Sequence, residues 1–470
     1  MKIDVSYIKK SEELDKINLS YNHNGTSFSR EIKLNSPRIL DYTTDNKSPA
    51  FDFLIMSIAI YNIDTLISRY LHSYDGWTRE LEVTICLNNY ELFNKNKKKI
   101  EEMISFLTGD IWKFNFNPIL ESINIFPIKK KKKQINTQVL NEITKVSLFS
   151  GGLDSLIGVL NLLNSNENIL LCSHYVKFED NEQKAIRSIF TKEQYNNFDH
   201  VQVMTQLEAK STQQLCEDGE TTFRSRSLLF LSIAVYLANN ISEICEIVMP
   251  ENGTISLNMP LSKSRRGSCS TRTTHPTMIT MLEEVLVGIG IKNKISNPFE
   301  FKTKGELVKE FYDKKTIDNK LLKELINKSV SCGKRGHRRN WDDHKRNKDV
   351  KHCGVCMPCI YRRASLNMIN EDFEKDYGRD IFTSDNFFIN DMGKDSADDF
   401  RALLHFLNRN YSVEEIEKEL VIGGINNFNK LQDYSQVVDR TIKQVKEWII
   451  KNDSKEIKKY ISENQLENLK

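Results

Sequence analysis

The stretch that most constrains this chain is Ser147-Leu148-Phe149-Ser150-Gly151-Gly152-Leu153-Asp154-Ser155. A largely apolar, strand-like run from Lys145 to Phe149 meets two glycines, and Leu153 to Leu163 resumes with the apolar spacing of a helix. Glycines at such a junction let the backbone come close to a ligand. The N–H groups of the helix start, its positive dipole end and the hydroxyls of Ser150 and Ser155 together suit a phosphate group. A tight turn with Asp154 and Ser155 as simple caps is the plainer reading. The pattern is not the Walker loop, since no Gly-Lys-Ser/Thr closes it.

The surrounding sequence supplies a matching scaffold. Strand-like runs at Lys145–Ser150, Ile169–Val176, His200–Met204, Glu243–Val248 and Ile295–Phe299 alternate with helical runs, including Gln183–Phe190, Ser225–Ala238 and Met278–Val287. That alternation implies an α/β fold with a doubly wound, mostly parallel sheet. Ligands of such sheets bind beyond the carboxyl ends of the strands, where Ser150–Ser155 falls. A chain of 470 residues exceeds one ordinary core. We therefore expect an N-terminal mixed α/β accessory domain over 1–127 and a lysine-rich linker over 128–144, followed by the sheet domain over 145–330. A cysteine module over 331–363 and a C-terminal helical region over 364–470 complete the division. The accessory domain contains the alternating runs Leu81–Cys86 and Ile123–Phe126 and an apolar segment, Ala50–Leu71, that reads as a buried helix. In the C-terminal region Ser412-Val-Glu-Glu415 is a capping box, and Gly423-Gly424 interrupts the helical pattern.

Nine cysteines in so long a chain do not suggest a disulfide framework. Four of them do share a pattern: Cys332, then Cys353-Gly-Val-Cys356-Met-Pro-Cys359. Three thiolates on a tight knuckle with a fourth from a distance form the tetrahedral sulfur shell that zinc prefers. An iron–sulfur cluster is an alternative occupant, and His337, His344 and His352 are alternative ligands. Since all four ligands come from protein, the site is expected to be closed and structural. The loop between Cys332 and Cys353 carries Lys334, Arg335, Arg338, Arg339, Lys345, Arg346, Lys348 and Lys351. It reads as a solvated loop, as a clamp on ATP or as a polyanion contact.

Taken together, these segments resemble the PP-loop ATP pyrophosphatases, in particular the QueC-like branch of 7-cyano-7-deazaguanine synthases. The residues that carry the resemblance are Ser150–Ser155, Arg226-Ser-Leu-Leu-Phe230-Leu-Ser232, Lys304-Gly-Glu306, Ser331-Cys332 and the Cys353–Cys359 knuckle followed by Arg362. Order and rough spacing agree from about Lys145 to Arg363. Two departures stand out: Ser227 occupies a position where the family has Asn, and the family's Tyr-Pro-Asp-Cys substrate segment is absent. With the long loop in the cysteine module and the flanking regions, the layout is similar to the QueC-like proteins of bacterial anti-phage defence systems, the QatC group.

The resemblance implies an enzyme that transfers AMP from ATP to a carboxylate, such as 7-carboxy-7-deazaguanine or a related molecule, releasing pyrophosphate. An amine then attacks to give an amide or nitrile, or a conjugate. Ser150, Gly151, Gly152, Asp154, Ser155 and Glu251 are the expected ATP residues, with Mg2+ alongside. Asp154, Ser155, Arg226 and Lys304 are the expected catalytic residues, and Cys332, Cys353, Cys356 and Cys359 the expected Zn2+ ligands. Arg226 would neutralise the α-phosphate or the substrate carboxylate, for which a planar guanidinium fork is suited. Glu251 and Asn252 end a strand on the expected ligand face and suit a purine edge, which turn chemistry at Asn252-Gly253 explains almost as well; His275, Arg265, Arg266 and Arg272 are weaker candidates, each equally readable as helix-start or solvated-loop chemistry.

No built-in ammonia-supplying domain is recognisable, so the amine is expected to be free ammonia or to come from a partner. Other proteins of a defence operon are expected partners, and nucleic acid is not strongly indicated, since the net charge is only +3. The run Lys129–Lys133 reads as a solvated linker, with an RNA or DNA contact as its alternative. No secretory segment is visible and the apolar runs around Phe53–Tyr61 and Leu228–Ala238 read as too short for a bilayer, so the expected location is the cytoplasm. Two alternatives stand beside this reading: a tRNA-modifying PP-loop enzyme, and a catalytically silent ATP-binding scaffold of a defence complex.

Overall fold

A computed structural model describes residues 1–11, 14–126, 142–175, 180–208, 224–261, 272–335, 349–384 and 397–452, with Glu220, Thr222, Arg338, Trp341, Asp342 and Lys345. Lys129–Lys133, Arg265, Arg266, His337 and His344 lie outside the described residues.

The strands are β1 (Lys2–Ser11), β2 (Leu14–His23), β3 (Thr26–Asn35), β4 (Glu80–Leu87), β5 (Ile111–Pro118), β6 (Lys145–Leu148), β7 (Ile169–His174), β8 (Phe198–Leu207), β9 (Glu246–Val248) and β10 (Ile295–Ser296). They form one ten-stranded sheet in the order β10-β9-β6-β7-β8-β3-β2-β1-β4-β5. Pairings from β10 through β9, β6 and β7 to β8 are parallel, as are β1 with β4 and β4 with β5. The alternating pattern therefore produced the mostly parallel α/β sheet expected of it. What the pattern did not reveal is that β3 pairs antiparallel with β8, Ile32 opposite Leu207, so one sheet takes strands from both the N-terminal region and the region after 145.

Helices cover both faces. On one, the Pro49–Leu66 helix packs against the Arg226–Ile241 helix, within a core that includes Phe53, Ile60, Leu229 and Leu237. Ser48 caps the first of these and Pro49 occupies its first turn. That helix has 18 residues with mean hydropathy 1.2, long and apolar enough by composition to cross a membrane, and 89% of it is buried in the protein. On the other face, Leu153–Asn164 and Asp180–Lys192 pack with Lys304–Lys314 and Asn319–Lys328 around Phe149, Phe190 and Phe311.

A third cluster joins the cysteine module to the C-terminal helices, burying Trp341, Cys359, Phe400, Val437 and Trp448. The Ser412–Glu415 capping box is present, and Gly424 ends that helix in the left-handed region. Ile123–Phe126, read as a strand, lies outside the regular strands. It is buried as an irregular segment, anchored where Asn124 accepts from the Asp15 N–H at 2.7 Å and returns its own N–H to Asp15 Oδ2.

Candidate functional site

β6 ends at Leu148 and the next helix begins at Leu153, so four residues turn the chain at the carboxyl edge of the sheet. Gly151 has φ +82°, a left-handed conformation that favours glycine. A Cβ there would also press on Gln183 Cγ at 3.3 Å. The turn is held internally: Ser150 Oγ accepts from the Gly152 N–H at 3.2 Å and lies 3.1 Å from Ser155 Oγ, which donates to the Gly152 carbonyl. It is also held from outside, because the Val330 N–H donates to the Gly151 carbonyl at 2.9 Å and Ser331 Oγ accepts from the Leu153 N–H at 3.4 Å. The helix behind it sits close to β9: a Cβ on Gly158 would lie 2.3 Å from Pro250 Cβ.

A cavity of about 450 Å³ opens above this turn. Of the sequence candidates, Ser150, Gly152, Asp154, Ser155, Arg226, Glu251 and Lys304 all line it, as do Ser227 and Phe230. Residues as far apart in the chain as Ser150 and Lys304 thus converge on one cavity. Asp154 Oδ2 accepts from Lys304 Nζ and, at 3.0 Å, from Asn252 Nδ2, while Asp154 Oδ1 is buried with no hydrogen-bond partner among the described residues. Glu251 stands beside this pair, touched by Asn252 Nδ2 at 3.2 Å. Burial pushes its carboxyl well above the ordinary value, the Asp154 charge adds to that push, and Lys304 only partly offsets it. Lys304 thus bonds Asp154, and Glu251 lies near enough for its carboxyl to respond to both charges.

Arg226 opens the Arg226–Ile241 helix with its guanidinium 5.8 Å from the Phe230 ring centre. Behind it, His174 at the end of β7 is fully buried between Tyr61 and Phe230, edge-on to both rings. Burial, with the Arg226 charge second, holds His174 down to about 3, so the imidazole is neutral. At the mouth, Arg335 makes a two-pronged pair with buried Glu182, one bond measuring 2.8 Å. Glu182 and His174 were missed by sequence reasoning; Ser331 entered it only within the Ser331-Cys332 match, and Asn252 as a candidate weighed against turn chemistry. Asn252 proves to do both, capping the Gly253–Leu257 helix through Oδ1 and bonding Asp154 through Nδ2.

Other candidates have structural duties. His275 caps the Pro276–Gly288 helix, its Nδ1 accepting from the Thr277 N–H at 3.3 Å. Arg272 lies over the Phe106 ring at 4.2 Å. Glu306 closes a capping box with Thr303 and pairs with Arg440 at 2.6 Å. Cys172 is buried on β7, and burial raises its thiol.

The four patterned cysteines meet, all four Sγ atoms lying within 4.8 Å of one another. Cys332 and Cys356 are 4.0 Å apart and Cys353 and Cys359 3.8 Å. Sulfurs at about 2.3 Å from zinc define a tetrahedron with edges of about 3.8 Å. Backbone N–H groups of Cys353 and Cys356 each point to a sulfur at 3.3 Å, as a thiolate centre requires. The set can hold a metal such as zinc. His352 is outside it, its Nε2 accepting from the Ser331 N–H at 3.3 Å. Ser331 thus bonds the glycine turn through Oγ and His352 through its N–H, and directly precedes Cys332, which with Pro358 forms part of the cavity wall. Comparison with family models, curated proteins and solved structures found no match to this chain.

Proposed function

We propose that this protein is a QueC-like ATP-dependent enzyme that adenylates a carboxylate and releases pyrophosphate. The observation that carries the reading is the convergence of Ser150, Gly152, Ser155, Arg226 and the Asp154–Lys304–Glu251 group on one cavity at the strand ends. A carboxylate resists attack by an amine because its leaving group would be oxide. Transfer of AMP converts that oxygen into a phosphate ester, which an amine can displace to form an amide. Such a site works by positioning and by neutralising charge.

In this reading Ser150, Gly151, Gly152 and Ser155 cradle the ATP phosphates at the helix start. Arg226 faces the α-phosphate or the carboxylate. Asp154 Oδ1 and Glu251 are hard oxygen ligands suited to Mg2+, which supplies charge neutralisation when bound. Lys304 holds Asp154 in place and balances the carboxylate pair. Zn2+ on Cys332, Cys353, Cys356 and Cys359 is structural, fixing Ser331 against the turn. The carboxylate is 7-carboxy-7-deazaguanine or a related molecule, and the product an amide, a nitrile or a conjugate with an amine. The setting is anti-phage defence, as the resemblance to the QatC group implies. Against a thiolation reading, Cys172 is buried with a raised thiol.

The test is pyrophosphate release from ATP with and without 7-carboxy-7-deazaguanine, for wild type and Asp154→Ala. Carboxylate-stimulated release that Asp154→Ala abolishes supports the reading. Its absence from the wild type, with ammonia and operon partners supplied, removes it.

A further inference from the structure

The start of the Arg226 helix is held from the far half of the sheet. Ser225, immediately before Arg226, is fully buried, and both its N–H (3.0 Å) and its Oγ (2.8 Å) donate to Asp64 Oδ2. A serine at a helix start ordinarily turns its hydroxyl to an N–H two or three residues on. Here no such local bond forms, and the hydroxyl is diverted to a residue 161 positions earlier.

Asp64 is itself fixed. Its Oδ1 accepts from Arg79 Nη2 at 2.6 Å and Arg69 Nη2 at 3.2 Å. Both arginines reach Asp110 Oδ2 at 2.6 Å. All four side chains are almost wholly buried. Burying two ion pairs contributes little net stability compared with a packed apolar core, so its advantage here is a defined geometry. Arg224 is fastened to the same region, donating to the Thr108 carbonyl at 2.8 Å with its guanidinium over Trp77.

Resting on the ATP reading above, we infer that Asp64, acting through Ser225, is a positioning residue for Arg226. Residues 1–126 are then a working part of the ATP site and not a detachable accessory. The test is a double-mutant cycle on ATP affinity, measured by calorimetry for the full chain as wild type, Ser225→Ala, Arg226→Ala and the double variant, with circular dichroism confirming folding. Ser225→Ala alone is expected to weaken ATP binding about tenfold, as for loss of one hydrogen bond to a charged group, and to cause no further loss once Arg226 is gone. Asp64→Asn, in the same two backgrounds, gives a second route should Ser225→Ala fail to fold, with the same pattern expected. Equal losses in both backgrounds, or no loss in either, overturn the inference while leaving ATP binding intact. A wild type that does not bind ATP overturns the functional reading first, and this inference with it.

Discussion

Two groups of buried charge sit on opposite halves of one sheet, and they are built differently. In the first, Asp64 and Asp110 face Arg69 and Arg79, and every carboxylate oxygen accepts two hydrogen bonds. Burial would push the Asp64 carboxyl up, but Arg79 and Arg69 outweigh it and hold it below its ordinary value. In the second, Lys304 bonds Asp154, one Asp154 oxygen is unbonded among the described residues, and Glu251 beside them is pushed well up. In the first group every carboxylate oxygen is satisfied without a ligand, and the buried atom left unbonded among the described residues is a donor, Arg69 Nε. The second leaves one Asp154 oxygen unbonded and a raised Glu251 carboxyl beside a cavity, the kind of perturbed group that marks a functional site.

The cysteine set extends the contrast, since four converging thiols are complete only with a metal. The largest expected effect is therefore there: Cys356→Ser should abolish stoichiometric zinc, measured by elemental analysis, and cost on the order of 10 kcal/mol of metal-coupled folding energy. Wild-type protein that is folded and free of metal would break this part of the comparison. Next, Arg79→Met should strand Asp64 and Asp110 and lower the unfolding free energy by about 3–5 kcal/mol in denaturant titration. Asp154→Ala should move that unfolding transition far less, yet lower pyrophosphate release by at least about 100-fold. If the two variants exchange these effects, the assignment of one group to structure and the other to function is wrong.

A smaller effect is expected at Gly158, where an alanine Cβ meets Pro250 at 2.3 Å. Gly158→Ala should cost about 1–3 kcal/mol by overpacking and shift Pro250 and Glu251 at the cavity edge. The smallest effect carries the sign of the pKa argument. Glu251 is raised in the folded state, so its ionisation opposes folding, and stability is lost as pH climbs from the ordinary glutamate value towards the raised one. Glu251→Gln should thus raise the melting temperature at neutral pH, and the gain should vanish below the ordinary value, where the carboxyl is protonated in both states.

Sequence legibility followed the range of the interactions. The Ser150–Ser155 turn and the Cys353–Cys359 knuckle are local, with residue types and spacing that declare their geometry. Strands β6 to β10 were legible because each alternates with a helix. The pairing of β3 with β8 was not, since nothing in Thr26–Asn35 marks Phe198–Leu207 as its partner. Glu182 and Asp64 were missed for the same reason: each meets a partner more than a hundred positions away. Glu306 looked like a site residue beside Lys304, but the Thr303 cap and Arg440 account for it.

The central claim is that the Gly151 turn receives the ATP phosphates. Gly151 and Gly290 share a left-handed backbone, φ +82° and +84°, and a Cβ at Gly290 meets nothing within 4 Å. Alanine at either position carries a similar backbone cost, roughly 1–2 kcal/mol. Calorimetric titration of ATP and Mg2+ into zinc-replete protein should give one-to-one binding for wild type and Gly290→Ala, and none for Gly151→Ala. Equal affinity in all three proteins would contradict the account.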